Sequence, residues 1–294
     1  MARGKRPTSP FVVIAVIFVI AAIAVTVTFA VIYAAGYRYI RIATDVVDGE
    51  TQYIKFLGVV DSDGVPHSGS ITYPSGITGE LDAKTNSITY SNGDVYVGEI
   101  ENLLRNGQGR LTYNSGDVYV GEFANDELTG TGVYTYTNGD VYEGEFVSGV
   151  KEGEGKYTWA DGSIYKGGFS DDKKDGYGEY YWTDGSSYLG EFSANIKEGY
   201  GVYTYVNGDV YEGEYKNDVR SGTGTYTWVN GESYTGAFLN NLPNGEGTYT
   251  WPSGRVYTGD FENGVIVRSA GSDDEETEDT STVTDTTASE NDEL

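Results

Sequence analysis

The chain has 294 residues and a strong acidic excess, with 45 Asp and Glu against 19 Lys and Arg, a formal net charge of −26, one His and no Cys. Without cysteine there is neither a disulfide framework nor a thiolate zinc site. The negative charge disfavours binding to nucleic acid and direct binding to anionic lipid headgroups.

The first predicted element is a hydrophobic helix. A basic segment, residues 1–10, precedes an apolar run over residues 11–35 that is relieved only by Thr26, Thr28 and Tyr33. At about 1.5 Å per residue this run spans roughly 37 Å, enough to cross a hydrocarbon core with some tilt. Because the run is longer than the core of a usual signal peptide, the sequence favours an uncleaved, single-pass transmembrane helix over a cleaved signal.

Basic residues on either side of this helix predict its orientation. Arg3, Lys5 and Arg6 precede the helix, whereas only Arg38 and Arg41 follow it closely. By the positive-inside rule, this imbalance places the amino terminus in the cytoplasm. The rest of the chain is therefore expected to be extracytoplasmic.

Between the helix and the regular part of the chain, the sequence predicts a linker, residues 36–50, and a degenerate cap, residues 51–93. Within the cap, residues 69–76 and 77–81 read as shortened versions of a hairpin that repeats farther along the chain. Atypical end units are expected because a terminal repeat has a partner on one side only. His67 has no second histidine nearby, so it is expected to be a surface residue and not a metal ligand.

Residues 94–264 repeat one unit with a period of 23 residues. Tyrosine recurs at this period without insertion or deletion, and each tyrosine is followed by glycine two residues later and by a large apolar residue two further on. A fixed period of this size indicates stacked units, each covering its neighbour. The recurring aromatic residues are Tyr96, Tyr119, Tyr142, Tyr165, Tyr188, Tyr211, Tyr234 and Tyr257, with Phe123, Phe146, Phe169, Phe192, Phe238 and Phe261.

Each unit reads as two strands. Alternation with period two places Tyr142, Gly144 and Phe146 on one face of a strand, and a Gly-x-Gly pair leads into a second aromatic strand. Asn-Gly or Asp-Gly between two such runs predicts a two-residue type I′ turn, so longer polar segments, such as residues 124–129 and 170–175, are expected to connect strands at the other edge. Recurrent glycine inside the strands predicts a curved sheet.

This pattern resembles the MORN repeat (membrane occupation and recognition nexus), whose unit begins Tyr-x-Gly-x-Phe and continues to Gly-x-Gly-x-Tyr over the same 23 residues. The resemblance covers residues 94–264, with mild departures at Ile100, Leu111, Gly168 and Tyr215. It implies an elongated, grooved antiparallel sheet that acts as a scaffold or docking platform, sometimes self-associating and in some relatives proposed to touch phospholipids. The expected fold is all-β, an elongated, curved single antiparallel β-sheet of hairpin repeats preceded by one transmembrane α-helix.

The carboxyl end, residues 265–294, is expected to be a disordered acidic tail. It holds ten acidic residues and one basic residue and is rich in Thr and Ser. Such a segment cannot bury enough apolar surface to order itself. Its charge would also protect the last strand against edge-to-edge pairing between chains.

No catalytic, cofactor or metal site is expected. Carboxylates that could form a catalytic pair, such as Glu145 and Glu191, recur in several units and so read as a solvated strand face. The Gly-x-Gly pairs lead into strands, unlike phosphate-binding loops, and the turns lack the nonapeptide period of calcium-binding β-rolls. The candidate binding residues are the recurring tyrosines and phenylalanines together with Trp159, Trp182, Trp228 and Trp251, although most of these rings are expected to build the core.

Two functions remain open. The first is a non-enzymatic, membrane-anchored scaffold whose groove binds a protein partner, for example a strand or a proline-rich segment laid along the aromatic rings. The alternative is a cell-surface module that binds carbohydrate or cell wall through Tyr and Trp rings. An enzyme would need a catalytic domain, for which only the cap and the tail remain. Self-association through the end strands is also open.

Overall fold

The computed structural model describes residues 10–267 of the chain. Within that span it leaves out the side chains of residues 10–17, Ile20, Phe29 and Asp45. Most of the predicted basic segment and nearly all of the predicted acidic tail therefore lie outside the described residues. The chain divides into two compact units, residues 1–127 and residues 128–294.

The first unit begins with a helix where the sequence predicts one, α1 (Pro10–Ala34). Gly36, with a φ of 84°, turns the chain directly after it. Among the residues that the structure describes, no helix is long and apolar enough to cross a membrane. The expected transmembrane anchor over residues 11–35 is therefore not confirmed, and part of that prediction, the side chains before Phe18, lies outside the described residues.

A strand takes the place of the expected linker. β1 (Tyr37–Val47) pairs antiparallel with β2 (Glu50–Val60). The prediction of a linker over residues 36–50 overlooked a period-two pattern in which Ile40 and Ile42 pack against the core cluster of this unit while Tyr39, Arg41 and Ala43 are exposed. Alternation of this kind is what a half-buried strand requires.

The rest of the first unit consists of short hairpins followed by regular ones. Its core is mainly aliphatic, with Ile54, Ile71, Leu81 and Ile88 all buried beside Phe56. Neighbouring strands pair antiparallel throughout. The strands are β3 (Pro66–Thr72), β4 (Thr78–Asp82), β5 (Ser87–Tyr90), β6 (Val95–Glu101), β7 (Leu104–Thr112) and β8 (Val118–Ala124).

The second unit is a continuous series of antiparallel hairpins in which a seven-residue strand alternates with a nine-residue strand. One such hairpin with its two connections accounts for the 23-residue period, so the predicted all-β hairpin fold is confirmed. The strands are β9 (Glu127–Thr135), β10 (Val141–Val147), β11 (Val150–Thr158), β12 (Ile164–Ser170), β13 (Lys173–Tyr181), β14 (Ser187–Ser193), β15 (Ile196–Thr204), β16 (Val210–Lys216), β17 (Val219–Thr227), β18 (Ser233–Leu239), β19 (Leu242–Thr250), β20 (Val256–Glu262) and β21 (Val265–Ile266).

The tight turns lie at the opposite end of each hairpin from the one predicted. Ser148 and Gly149 join β10 to β11 with φ values of 48° and 85°, as a two-residue type I′ turn requires. At the Asp-Gly position, Gly162 N–H donates to the Trp159 carbonyl and Trp159 N–H donates to the Ser163 carbonyl, which closes a three-residue loop. The prediction was wrong because only the glycine of this pair has a positive φ, and a loop with a single left-handed residue suffices there.

Each hairpin also contains an irregular pairing beside its glycines. Gly144 lies opposite Gly155, but Phe146 lies opposite Lys151, so Glu145 alone faces three residues of β11. The same shift recurs in the pairings of β6, β12, β14, β16 and β18. A bulge of this kind bends the strand and exposes a backbone carbonyl that needs a partner.

Candidate functional site

The recurring tyrosines form the core and not the surface. Seven of them, here called the ladder, are at most 1% exposed: Tyr96, Tyr119, Tyr142, Tyr165, Tyr188, Tyr211 and Tyr234. The Tyr142 ring meets Phe146 edge-on at 5.1 Å and Phe169 of the next repeat at 5.0 Å. Phe169 in turn meets Tyr165 at 5.3 Å, so each phenylalanine joins two tyrosines. Edge-to-face contacts of this kind are the favoured geometry of buried aromatic rings.

Every ladder hydroxyl donates a hydrogen bond to the backbone carbonyl of the residue three positions later. Tyr142 donates to the carbonyl of Glu145 at 3.0 Å, and Tyr188 donates to that of Glu191 at 3.1 Å. The remaining ladder tyrosines repeat this bond three residues ahead. The hydroxyl thus satisfies the carbonyl that the bulge exposes. Burial raises the pKa of Tyr96, Tyr119 and Tyr234 to about 12.

The eighth tyrosine of the series differs from the ladder. Tyr257 is half-buried, and its hydroxyl donates to the carbonyl of Val267 at 3.3 Å. Its ring still meets Phe261 at 5.6 Å. The repeat pattern alone could not separate it from the other seven, because the difference arises from the short last strand, β21, against which β20 pairs.

The recurring glutamates have a structural role as well. The carboxylates of Glu145, Glu191 and Glu214 accept backbone N–H groups from the facing strand, at 3.2, 3.2 and 2.9 Å. Hydrogen bonds from Thr223 lower the pKa of Glu214. These side chains therefore stabilise the bulge through hydrogen bonds. The sequence indicated only that they lie on a solvated face of the strand.

Glycine is required where the facing strand crosses a ladder ring. A Cβ atom at Gly201 would lie 2.4 Å from the Tyr188 hydroxyl and 2.5 Å from Cε2 of that ring. Gly201→Ala is therefore expected to destabilise the second unit by about 1–3 kcal/mol, because the fixed ring cannot move aside. Chemical denaturation measures this effect. A loss no greater than that of Gly185→Ala, where the added Cβ meets nothing within 4 Å and only the positive φ opposes it, would contradict it.

A second series of rings, here called the outer row, runs through the second unit. Eight of its twelve rings are half-exposed, whereas Tyr203, Tyr205, Tyr226 and Tyr249 are buried. Its neighbouring ring centroids lie between 4.3 and 6.0 Å apart, without a gap. All four tryptophans of the chain belong to it and are half-exposed. The outer row consists of Tyr134, Tyr136, Tyr157, Trp159, Tyr180, Trp182, Tyr203, Tyr205, Tyr226, Trp228, Tyr249 and Trp251.

The predicted binding residues thus separate into two groups. The ladder tyrosines are buried, and so are the six recurring phenylalanines, which are 2–6% exposed. Trp159, Trp182, Trp228 and Trp251 lie in the outer row, where solvent reaches them. Only the tryptophans of that predicted set, with Tyr257, therefore have surface available for a ligand.

Four basic side chains form a column between the ladder and the outer row: Lys151, Lys174, Lys197 and Arg220. The Lys151 ammonium lies 5.6 Å from the ladder ring of Tyr142 and 5.2 Å from the outer ring of Tyr157. Desolvation lowers the pKa of Lys151, although Asp172 lies 3.8 Å away. Lys197 and Arg220 are only 3% and 4% exposed. Cations held over several rings stabilise the stack through cation–π attraction.

This column was not predicted from the sequence. Its signal was present, because basic residues recur at 23-residue spacing two residues after four successive tight turns. The sequence does not show that an Asn or Asp side chain of the next turn accepts the backbone N–H of each basic residue, as Asn241 does for Arg220 at 2.7 Å. Arg220 also donates to the Tyr205 hydroxyl at 3.0 Å.

Buried acids support the outer row from its other side. The Asp140 carboxylate accepts the Tyr157 hydroxyl at 2.7 Å and the Ala160 N–H at 2.8 Å. Burial alone would raise the pKa of Asp140, but these hydrogen bonds outweigh it and lower that pKa. Asp209 accepts the Tyr226 hydroxyl at 2.9 Å in the same way. Hydrogen bonds to buried carboxylates therefore orient Tyr157 and Tyr226 within the outer row.

In the first unit, three tyrosines occupy turn positions equivalent to those of the tryptophans: Tyr73, Tyr90 and Tyr113. Tyr73 and Tyr90 have ring centroids 5.8 Å apart. The Tyr73 hydroxyl donates to the carbonyl of Leu103 at 2.9 Å. The Tyr90 hydroxyl is buried without a hydrogen-bond partner among the described residues, and burial raises its pKa to about 12. The two hydroxyls are close enough to influence each other's ionisation, but their geometry supports no hydrogen bond between them.

Removal of these two hydroxyls is expected to have different effects on the stability of the first unit. Tyr73→Phe leaves the Leu103 carbonyl unsatisfied and should destabilise the first unit by about 1–3 kcal/mol. Tyr90→Phe removes a hydroxyl that has no partner and should be neutral or slightly stabilising. Thermal melting of both variants tests this pair. A larger loss from Tyr90→Phe than from Tyr73→Phe would contradict it.

Hairpins of constant length with a shared aromatic core and one exposed aromatic row define a repeat protein of stacked β-hairpins. Among the residues that the structure describes, no group of three or more His, Asp or Glu residues could hold a metal ion. The chain belongs to the MORN repeat family, a family of non-catalytic repeats, and the matches cover more than half of its length. The family model matches residues 96–118, 119–141, 142–164, 165–187, 188–210, 211–233 and 234–254.

Comparison with other proteins gives only distant likenesses. No curated protein matches the chain. Among solved structures, the TCP10 domain of Danio rerio CPAP in complex with a STIL peptide is 17% identical, with a TM-score of 0.35, and the match covers 74% of this chain and 97% of that one. The TCP domain of Drosophila melanogaster SAS-4 with a proline-rich motif of Ana2 is 12% identical, with a TM-score of 0.22 and coverage of 88% and 97%. At these TM-scores neither likeness carries an argument about function.

Proposed function

We propose that the protein is a non-catalytic scaffold that binds an extended, proline-rich segment of a partner protein along the outer row of the second unit. The observation that carries this proposal is the gap-free series of contacting rings from Tyr134 to Trp251, in which all four tryptophans stay half-exposed. Rigid aromatic rings offer large contact area at low entropic cost, and aromatic grooves are the usual docking surface for proline-rich segments.

The spacing of the outer row supports this class of ligand. Adjacent strands of a sheet lie about 4.8 Å apart, so equivalent rings of successive hairpins lie about 9.6 Å apart. One turn of a polyproline II helix contains three residues and advances about 9.3 Å. Every third residue of such a segment would therefore meet the same position on successive repeats. Basic residues on the partner would further accelerate association, since the protein carries a net charge of −26.

The test uses two synthetic peptides of identical composition, one with proline at every third position and one with proline at every fourth. The protein should bind the first more tightly. Trp159→Ala combined with Trp182→Ala should weaken that binding at least tenfold, because both rings are half-exposed members of the outer row. The matched control is Tyr177→Ala combined with Tyr200→Ala, which removes two exposed rings outside the outer row. Equal loss in both double variants, or no preference between the peptides, would refute the proposal.

The alternative ligand is a surface carbohydrate, and the half-exposed tryptophans Trp159, Trp182, Trp228 and Trp251 are the observation that favours it. The face of an indole ring can stack on a sugar ring, so the exposed parts of these tryptophans would serve a carbohydrate as well as a peptide. Isolated wall polysaccharide in the same assay decides between the two classes. Binding of polysaccharide that depends on Trp159 and Trp182, with no binding of either peptide, would favour the carbohydrate module.

Attachment to a membrane belongs to this proposal as a hypothesis from sequence. Its support is the apolar composition of residues 11–35, and the basic residues before them favour an extracytoplasmic repeat array. Alkaline carbonate extraction of membranes should leave the full-length chain in the pellet and release a chain that lacks residues 1–35. Protease treatment of intact cells then reports the side. Release of the full-length chain would refute the anchor.

A further inference from the structure

We propose that the first unit carries its own ligand pocket, which accepts an uncharged, ring-sized group bearing a carbonyl oxygen. A cavity of about 280 Å³ lies within this unit and is lined by side chains from residue 44 to residue 126. Apolar cavities of about 150 Å³ already accommodate benzene. The space is therefore sufficient for an aromatic ring together with an amide. None of the residues that line this pocket belongs to the outer row. The pocket proposal therefore does not depend on the proposed scaffold function.

The cavity coincides with a change in the repeat pattern. In the second unit a tyrosine stands two residues before each turn aromatic, and it fills the space beside the neighbouring rings. In the first unit Ile71 and Ile88 stand two residues before Tyr73 and Tyr90, and both isoleucines are fully buried. Isoleucine occupies less volume than tyrosine. Room is therefore left beside the two turn tyrosines, which both line the cavity.

The cavity has apolar walls and an open rim. Ile54 and Tyr73, at 1% and 8% exposure, form buried parts of its lining, together with half-buried Leu104. Pro74 and Ile77, in the turn between β3 and β4, line it as well and are exposed. A ligand can therefore enter from solvent and place an apolar ring against the buried wall.

The polar part of the lining is Arg105 with two carboxylates. The Arg105 Nε lies 3.2 Å from the Asp126 carboxylate, and its Nη2 donates to the Asp126 carbonyl at 2.5 Å. The Nη1 atom makes no hydrogen bond with any described residue, so a guanidinium with five N–H donors keeps donors for a ligand oxygen. Asp94 also lines the cavity, and with Asp126 it outweighs the charge of Arg105. An uncharged carbonyl is therefore preferred to a carboxylate.

Three small probes test this chemistry on the full-length protein by saturation-transfer NMR. Phenylacetamide has the ring and the uncharged carbonyl, phenylacetate has the same shape with a negative charge, and toluene lacks the oxygen. A ligand of this size should reach a Kd of about 1–10 mM. Phenylacetamide is expected to bind at least fivefold more tightly than phenylacetate. Equal binding of these two probes, or no transfer to phenylacetamide at about 10 mM, would overturn the proposal.

Variants locate the binding. Ile77→Trp places a large side chain at the exposed rim and should abolish phenylacetamide binding, whereas Leu189→Trp, at an exposed position of the second unit, should not change it. Leu104→Trp fills the cavity from its wall and provides a second blocking variant. Arg105→Lys should weaken phenylacetamide at least threefold and leave toluene unaffected. Phenylacetamide binding that persists in folded Ile77→Trp or Leu104→Trp protein, as judged by thermal melting, would overturn the assignment.

Discussion

Replacing Tyr188 by alanine is expected to destabilise the second unit by about 3–5 kcal/mol. The ring is 1% exposed and meets Phe192 and Tyr215 edge-on at 5.1 and 5.2 Å. Its loss leaves a cavity between two repeats and also removes the hydroxyl that satisfies the Glu191 carbonyl. Both effects act at one position, which is why the expected loss lies at the high end for a single substitution. Urea denaturation measures it.

The matched control is Tyr177→Ala in the neighbouring repeat. Tyr177 is 61% exposed, so its truncation should change stability by no more than about 0.5 kcal/mol. The two substitutions remove the same atoms from the same unit. Comparable losses from both would show that the tyrosine ladder is not the core of this unit.

Alkaline pH is expected to unfold the second unit steeply. The unfolded chain ionises tyrosine near pH 10, whereas burial raises the pKa of Tyr234 to about 12 and also raises those of the other ladder tyrosines. The stability that these groups contribute is therefore present below pH 10 and is lost as pH rises toward 12. Five ladder tyrosines lie in this unit. Between pH 10 and pH 12, each of them lowers the free energy of unfolding by about 1.4 kcal/mol per pH unit. Together they lower it by about 7 kcal/mol per pH unit, which is comparable to the whole stability of a domain.

Circular dichroism and tyrosinate absorbance, followed together through the alkaline transition, test this expectation. Loss of the sheet signal should coincide with ionisation of the ladder. Tyr188→Phe should reduce the steepness by one titrating group, because burial raises the pKa of Tyr188 in the folded protein. Gradual ionisation of all tyrosines near pH 10 with an intact sheet signal would contradict the account.

The fold of the repeats could be predicted from sequence because the signals are local and repeat. Tyr142, Gly144 and Phe146 alternate on one face, and their repetition at 23 residues identifies one hairpin per unit. The position of the tight turn was predicted wrongly, because Asn-Gly and Asp-Gly suit both a type I′ turn and a three-residue loop. Ser148 and similar residues adopt positive φ only because the strand register forces the turn there.

The candidate site could be predicted only in part. Tyr188 and Tyr203 are the same residue type on strands of the same hairpin, yet one belongs to the ladder and the other to the outer row. The two lie directly opposite each other and so share a face of the sheet, and period-two alternation does not distinguish the ring that joins the ladder from the ring that joins the outer row. The buried cations were missed for a related reason. A charge such as Lys197 reads as a surface residue until its rings and turn partner are known.

The strand in place of the expected linker shows a further limit. Its inward-facing residues Ile40 and Ile42 are aliphatic and are separated by Arg41, so the segment lacks the aromatic signature of the repeats. Its pairing with β2 depends on a long-range apolar contact with the core of the first unit, which composition alone does not indicate.

The ladder forms the core of the repeats, and the proposed function assigns partner binding to the outer row. The most direct measurement replaces Trp182 or Tyr177 with the photo-crosslinking residue benzoylphenylalanine and adds the peptide that has proline at every third position. Trp182 lies in the outer row, and Tyr177 is exposed outside it. Irradiation should attach the peptide at position 182 and not at position 177. Attachment at position 177 alone, or at both positions equally, would contradict the claim.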